Sequence, residues 1–515
     1  MSHPLACAAA WFAACFCGWL SGCAFSDGAR DGSLAEDGAP DAALEPAPDA
    51  DGGDGGGLAD GGEGDAGPAE RTLRAAVLLG AGGFFGVSGA DARGGLGQGA
   101  EAFAISAHYA NIASGGPENP AGRVYLFARG RIPASVGEAA LVLEPPDAAP
   151  GGGFGWALAE SCDLNGDGAL DLAVGNHLYS TAPAPNSGRV VVFWGEAGLP
   201  LSAARATLHT LPPDVVRRSD SFGQSVLCAD IDLDGLGDLV AGGQNAGLAD
   251  TGVAGVFFGS RSGLAAAADA VLEPPVLASR QYFGAGLLWQ DLTGDSKADL
   301  AVAGWGLIRG ADSTGPHTGG VCLFDGAELG AGARGCLFPP GGGEIHFGLP
   351  MAVADTGSAR LLLVGAPDGG VGARGAIFVY LAGPGISSSG PVQVIESPLA
   401  ADTGFPSALL YHPDFFGRGR GALLVGAKYG DPPAGEAASG VVVVYPLDAG
   451  GASFSPSHRW LAHPHPRAGD GFGAALAGLG DADGDGLFDF WAGMPEHLEG
   501  DIVAGFQTGG VVFFY

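Results

Sequence analysis

A repeat governs what this chain can become. After residue 71 one pattern returns at intervals of about 60 to 70 residues, so the repeat must be settled before any single element. The clearest copy opens at Phe154-Gly155 and runs through Asp163-Leu164-Asn165-Gly166-Asp167-Gly168 and Asp171-Leu172-Ala173-Val174-Gly175. It reaches Gly188-Arg189-Val190-Val191-Val192-Phe193 and ends in an apolar piece, Thr207 to Leu211, before Pro212-Pro213. Equivalent starts stand at Phe85-Gly86, Phe222-Gly223, Phe283-Gly284, Phe347-Gly348 and Phe472-Gly473, with a degraded one at Gly404-Phe405-Pro406, which makes seven units. Each unit holds four short β-type runs split by Gly, Pro and Asp turns, the punctuation of one four-stranded antiparallel sheet.

Composition removes the competing classes. The chain has 515 residues with 96 Gly, but no Gly-X-Y period runs through it, so a collagen-like fold is out. Hydrophobic residues make up 47% and charged ones 15%, enough apolar side chain for a core in every repeat. Against 56 Asp and Glu stand 23 Lys and Arg, a net charge of -33, which lacks the basic footprint that nucleic acid requires.

The acidic excess is patterned. Four units place side-chain oxygens at offsets 1, 3, 5 and 9 of the loop between their first two strands. These are Asp163, Asn165, Asp167 and Asp171; Asp230, Asp232, Asp234 and Asp238; Asp291, Thr293, Asp295 and Asp299; and Asp481, Asp483, Asp485 and Asp489. Alternate oxygens in a tight loop suit a hard cation that takes six to eight of them, and the backbone carbonyl at offset 7, from Ala169, Leu236, Lys297 or Leu487, adds one more. Ca2+ is therefore the expected cofactor, at about four sites, with a structural role. Gly168, Gly235 and Gly486 follow the third ligand, where such a turn needs positive φ. Ser296 stands there in the loop at 291–299, and with Thr293 replacing a carboxylate that site is expected to be weakest. An EF-hand would need Glu at offset 12 and flanking helices, whereas Val174, Ala241, Val302 and Ala492 stand there inside apolar strand-like runs. The other three units carry too few acids, as at Asp91 before Arg93, Asp355-Thr356-Gly357-Ser358, and Asp414 before Arg418 and Arg420.

The Phe-Gly start, the acidic loop and a stretch such as Val364-Gly365-Ala366-Pro367 together resemble the FG-GAP repeat of the integrin α-subunit head and of related bacterial surface proteins. The resemblance covers nearly all of residues 72–515 and implies an all-β fold, a seven-bladed β-propeller with four-stranded antiparallel blades. The last unit stops at Val511 to Tyr515, its third run, so one strand is missing. The β-capable segment Thr72 to Leu79 belongs to no unit and is expected to supply that strand, closing the ring and removing an exposed sheet edge.

Residues 1–22 end in Leu20-Ser21-Gly22-Cys23 after a short apolar run and resemble a bacterial lipoprotein signal, which implies lipidation of Cys23. Ala24 follows where Asp would favour inner-membrane retention, so the resemblance points to the outer membrane or cell surface. Residues 23–71 are rich in Asp, Gly, Ala and Pro, cannot bury enough apolar surface to fold, and are expected to be a disordered tether. The folded part then meets the membrane through its anchor only, as multiple acyl chains hold stably. Cys322 and Cys336 lie in neighbouring runs of one unit and are expected to form a disulfide, while Cys162 and Cys228 are expected to be buried free thiols. The 11 His show no zinc spacing, and His463-Pro464-His465-Pro466 is expected to be a loop.

No nucleophile elbow, phosphate-cradling loop or catalytic metal motif stands in the sequence. The expectation is a non-enzymatic binding or adhesion module for extracellular protein or glycan ligands. Two alternatives stay open: a propeller-type enzyme acting on polysaccharide or lipid, and a scaffold within an envelope complex.

Overall fold

The computed structural model describes residues 59–60 and, apart from 81–83, 98–100, 111–119, 148–150, 181–183, 217–218, 248, 311–314, 342, 400–403, 432–437, 483 and 498–508, residues 73–515. The signal segment 1–22, the lipidation candidate Cys23 and Asp483 lie outside the described residues.

Seven antiparallel sheets follow one another along the chain as the blades of a β-propeller. Blade 2 shows the plan, with Phe154–Leu158, Leu172–Asn176, Arg189–Phe193 and Ala206–His209 pairing in sequence order. Blades 1, 3, 4, 5 and 6 repeat it from first strands at Phe85–Asp91, Ser225–Ala229, Phe283–Gln290, Met351–Asp355 and Leu409–His412. Blade 7 takes Leu476–Gly480, Asp489–Met494 and Gly510–Phe514 from late in the chain and its fourth strand, Ala75–Leu79, from before the first blade. Its register runs from Ala75 opposite Phe514 to Leu79 opposite Gly510, so the strand missing from the last repeat is the one that precedes the first. On blade 6 a two-residue strand, Ala59–Asp60, adds outside Arg459–Leu461.

The core lies between blades. The second and third strands of blade 2 are buried along their whole length because each face packs on a neighbouring sheet, whereas its fourth strand keeps Thr207 and Leu208 exposed. Seven apolar clusters result, each shared by two adjacent blades. One joins Val190 and Val192 of blade 2 to Leu239 and Val253 of blade 3. Another joins Phe103 and Phe127 of blade 1 to Trp491 and Phe513 of blade 7, which is the contact that turns a row of sheets into a ring.

The Phe-Gly start is the seam of each interface. Phe222 is buried, worth roughly 2 to 3 kcal/mol relative to exposure, and its N–H donates to Ser187 O of the preceding blade at 3.0 Å. The same bond is made by Phe154 to Ala121, Phe283 to Thr251, Phe347 to Thr318 and Phe472 to Ser439. Backbones approach so closely here that a Cβ on Gly188 would overlap the Phe222 main chain, and one on Gly509 would overlap Phe85 across the closure. Both glycines also have positive φ, so the seam needs a residue without a side chain twice over.

Candidate metal centre

Each acidic loop leaves the first strand of its blade and folds back before the second. A carboxylate at offset 1 caps the turn and a buried aspartate at offset 9 pins its end. In blade 2, Gly166 N and Gly168 N donate to Asp163 Oδ1 and Oδ2 at 2.7 and 2.8 Å. Leu164 N and Gly195 N donate to Asp171 Oδ2 and Oδ1 at 2.8 and 2.7 Å, so Asp171 joins the loop to the turn after the third strand. Asp238 does the same in blade 3 through Ile231 N and Gly259 N, both at 2.7 Å. Ala482 N donates to Asp489 in blade 7 at 2.5 Å. The residue after the third ligand has positive φ in all four loops, including Ser296 at 69°.

Blade 3 gathers its acids most tightly. Asp230, Asp232 and Asp238 bring carboxylate oxygens within 4.8 Å of one another, the one such trio of acidic, histidine or cysteine side chains among the described residues. Asp230 Oδ1 is buried with no hydrogen-bond partner. An orphaned oxygen beside two more carboxylates fits an oxygen-seeking cation, which would take Asp230, Asp232, Asp234 and Asp238 as ligands. In blade 2 the set is looser, with Asn165 Nδ2 donating to Asp167 Oδ2 at 3.1 Å and Asp167 N to Asn165 Oδ1 at 3.0 Å. Of the blade 7 set, Asp481, Asp485 and Asp489 are described and Asp483 is not.

Burial makes the pinning aspartates costly to ionise. It pushes the Asp171 carboxyl up to about 7 against the pull of the Gly195 and Leu164 amides, with Asp167 and Asp163 adding repulsion. Burial likewise raises Asp238 to about 6, opposed by the amides of Gly259, Ile231 and Asp232.

Blade 4 is built differently. Arg334 Nη1 lies 3.0 Å from Asp295 Oδ2 and 3.9 Å from Asp299 Oδ1, and Nη2 bonds Asp325. Arg360, from blade 5, sets Nη1 3.6 Å from Asp291 Oδ2 and 3.1 Å from Asp291 O. Thr293 Oγ1 donates to Asp299 Oδ1 at 3.4 Å. The three carboxylates of this loop are already faced by cations of the protein, so its residues do not fit a metal ion. Neither arginine is visible from the loop's own sequence, since one follows 35 positions after Asp299 and the other belongs to the next repeat.

Neighbouring loops are also stitched together. Gly237 N in the blade 3 loop donates to Asp163 O of the blade 2 loop at 2.8 Å. Beside that bond Cys162 and Cys228 form a disulfide, with Cα atoms 6.2 Å apart, which corrects the free-thiol expectation for this pair. The two precede equivalent loops in successive blades, and stacking the blades brings them together. Cys322 and Cys336 are directly opposed on the third and fourth strands of blade 4 and are bonded to each other.

Away from the acidic loops, His108 and His177 follow the second strands of blades 1 and 2 and flank Trp156, with ring centroids 5.0 and 4.5 Å from it. Burial pushes both imidazoles down to about 3, His177 adding to the effect on His108, and the Nδ1 atom of each is buried without a partner. No local motif marks this pair, because the two lie in separate repeats.

Residues 154–193, most of blade 2, match the FG-GAP repeat family. The chain is also similar to phosphatidylinositol-glycan-specific phospholipase D. It is 36% identical to the Bos taurus protein over 163 residues, which is 29% of this chain and 18% of that protein. To the Homo sapiens protein it is 30% identical over 233 residues, 42% of this chain and 26% of that protein. The matched part thus spans only about a fifth to a quarter of these relatives' length.

Proposed function

We propose that this chain, a seven-bladed β-propeller built on FG-GAP repeats, is a calcium-stabilised binding module held at the cell envelope by a lipid on Cys23. The observation that carries the calcium reading is the blade 3 loop, whose Asp230 oxygen is buried and unpartnered beside Asp232 and Asp238. Oxygen-only ligands and tight loops on a rigid sheet suit Ca2+ over softer metals. The ion's work is structural: it neutralises like charges that would otherwise splay the turn. With free calcium near 1 mM and a dissociation constant near 0.1 mM, each site adds about 1.4 kcal/mol. Three sites would raise Tm by about 4 °C in a fold of this size.

Thermal melts of the purified protein in 1 mM calcium and in excess chelator test this reading. A Tm that ignores the chelator would overturn it. The ligand class, extracellular protein or glycan, is tested by binding arrays run with and without calcium.

A second reading is favoured by the names of the relatives, which describe an enzyme acting on phosphatidylinositol-glycan. In this reading the propeller engages a glycan-linked lipid or belongs to an enzyme that cleaves one. Incubation of the full chain with a phosphatidylinositol-glycan substrate separates the two, since calcium-dependent release of the lipid would favour the enzyme.

A further inference from the structure

The four acidic loops share a sequence pattern but not a charge environment. Among the described residues, Asp230, Asp232, Asp234 and Asp238 of blade 3 form no ion pair. The residue just before the fourth strand of that blade is Asp269, whose N–H donates to Val256 O at 2.8 Å. In blade 4 the equivalent residue is Arg334, whose N–H donates to Leu323 O at 2.8 Å, just before Gly335–Leu337. The matched position thus carries opposite charge in the two blades, the Asp269 carboxylate accepting from Phe258 N at 3.0 Å and the Arg334 guanidinium facing its loop. In blade 2 the matched residue, opposite Phe193, is the uncharged Ala206, and Arg205 one place earlier pairs with Glu196 at 3.6 Å. In blade 4 the arginine instead points inward at offsets 5 and 9, and Arg360 reaches offset 1 from the next blade.

We propose that the blade 4 loop takes no cation, and that Arg334 and Arg360 stand in for the metal as its resident counter-charge. A guanidinium stays protonated at any pH the fold survives and presents donors to several carboxylates at once, so it closes the turn without an ion. Lys297 at offset 7 adds a further positive charge beside Asp295, and the Thr293 hydroxyl takes up one acceptor position of Asp299. Blade 4 is therefore calcium-independent in a ring whose blades 2 and 3 are not. The inference rests on the calcium reading of those two blades.

Two measurements on the full chain, with calcium ion alone as probe, test the proposal. In equilibrium dialysis, Arg334→Gln combined with Arg360→Gln should bind one more calcium than the unaltered protein. An equal number in both overturns the proposal. In hydrogen exchange on the unaltered protein, a chelator should speed exchange in loops 163–171 and 230–238 by about tenfold or more and leave 291–299 unchanged. Loss of protection in all three loops overturns the proposal and leaves the calcium reading intact. No response in any loop overturns the calcium reading instead. Arg334→Gln alone then decides, because its loop 291–299 should exchange faster even in chelator, and unchanged exchange there overturns the counter-charge role.

Discussion

Two imidazoles show how far burial can move a titratable group. His108 and His177 have a folded pKa of about 3 against about 6.5 in an unfolded chain. The unfolded state therefore binds protons first, so the stability these rings contribute is complete above about pH 6.5 and is lost as the pH falls toward 3. The loss approaches about 1.4 kcal/mol per pH unit for each ring. Between pH 7 and 4 the raised carboxyls of Asp171 and Asp238 change stability in the opposite sense, so the histidine contribution is read as a difference: denaturant melts of His108→Gln with His177→Gln should lose less stability than the unaltered protein as the pH falls through this range. Leu233 is a second residue of interest. It holds φ of 62° where the other three acidic loops place Gly166, Gly294 and Gly484 at 69°, 76° and 84°. Its side chain is 51% exposed, so little packing offsets the strain. Leu233→Gly should leave the fold unharmed or stabilise it by up to about 1 kcal/mol, readable as a shifted denaturation midpoint.

The loop is the element in which sequence and structure part company. Offsets 1, 3, 5 and 9 are a local code, so the four candidate loops and their positive-φ turns are legible from residues a few places apart. What decides the charge at 291–299 is Arg334 and Arg360, which reach it only after the blade closes and its neighbour stacks. The bridge between Cys162 and Cys228 is hidden for the same reason, the two standing 66 positions apart. The strand count, by contrast, is legible because period-sized spacing and Phe-Gly punctuation repeat along the chain, and the closing strand follows from counting runs. Loop length also sets what the two disulfides contribute. Closing the longer segment should be worth about 4 kcal/mol and the shorter, Cys322 to Cys336, about 3 kcal/mol. Guanidinium unfolding of Cys228→Ser and Cys336→Ser variants should reproduce that order. The stitch between the blade 2 and blade 3 loops would be lost with the first.

At the scale of the whole molecule, seven interfaces of similar make hold the ring, and none is a hinge between separate cores. The proposed lipid anchor lies on a residue outside the described part. Cys23→Ser should abolish incorporation of labelled palmitate and shift the protein from the detergent phase to the aqueous phase, while the melting of the propeller stays the same. The closure of blade 7 has one more effect. Residues 75–79 are made early, yet the strand they pair with, 510–514, is made some four hundred residues later. A nascent chain therefore keeps this first strand of the ring waiting, open to chaperones, until nearly everything else has been delivered. Completion of the circle serves as a built-in check that the full set of repeats has arrived.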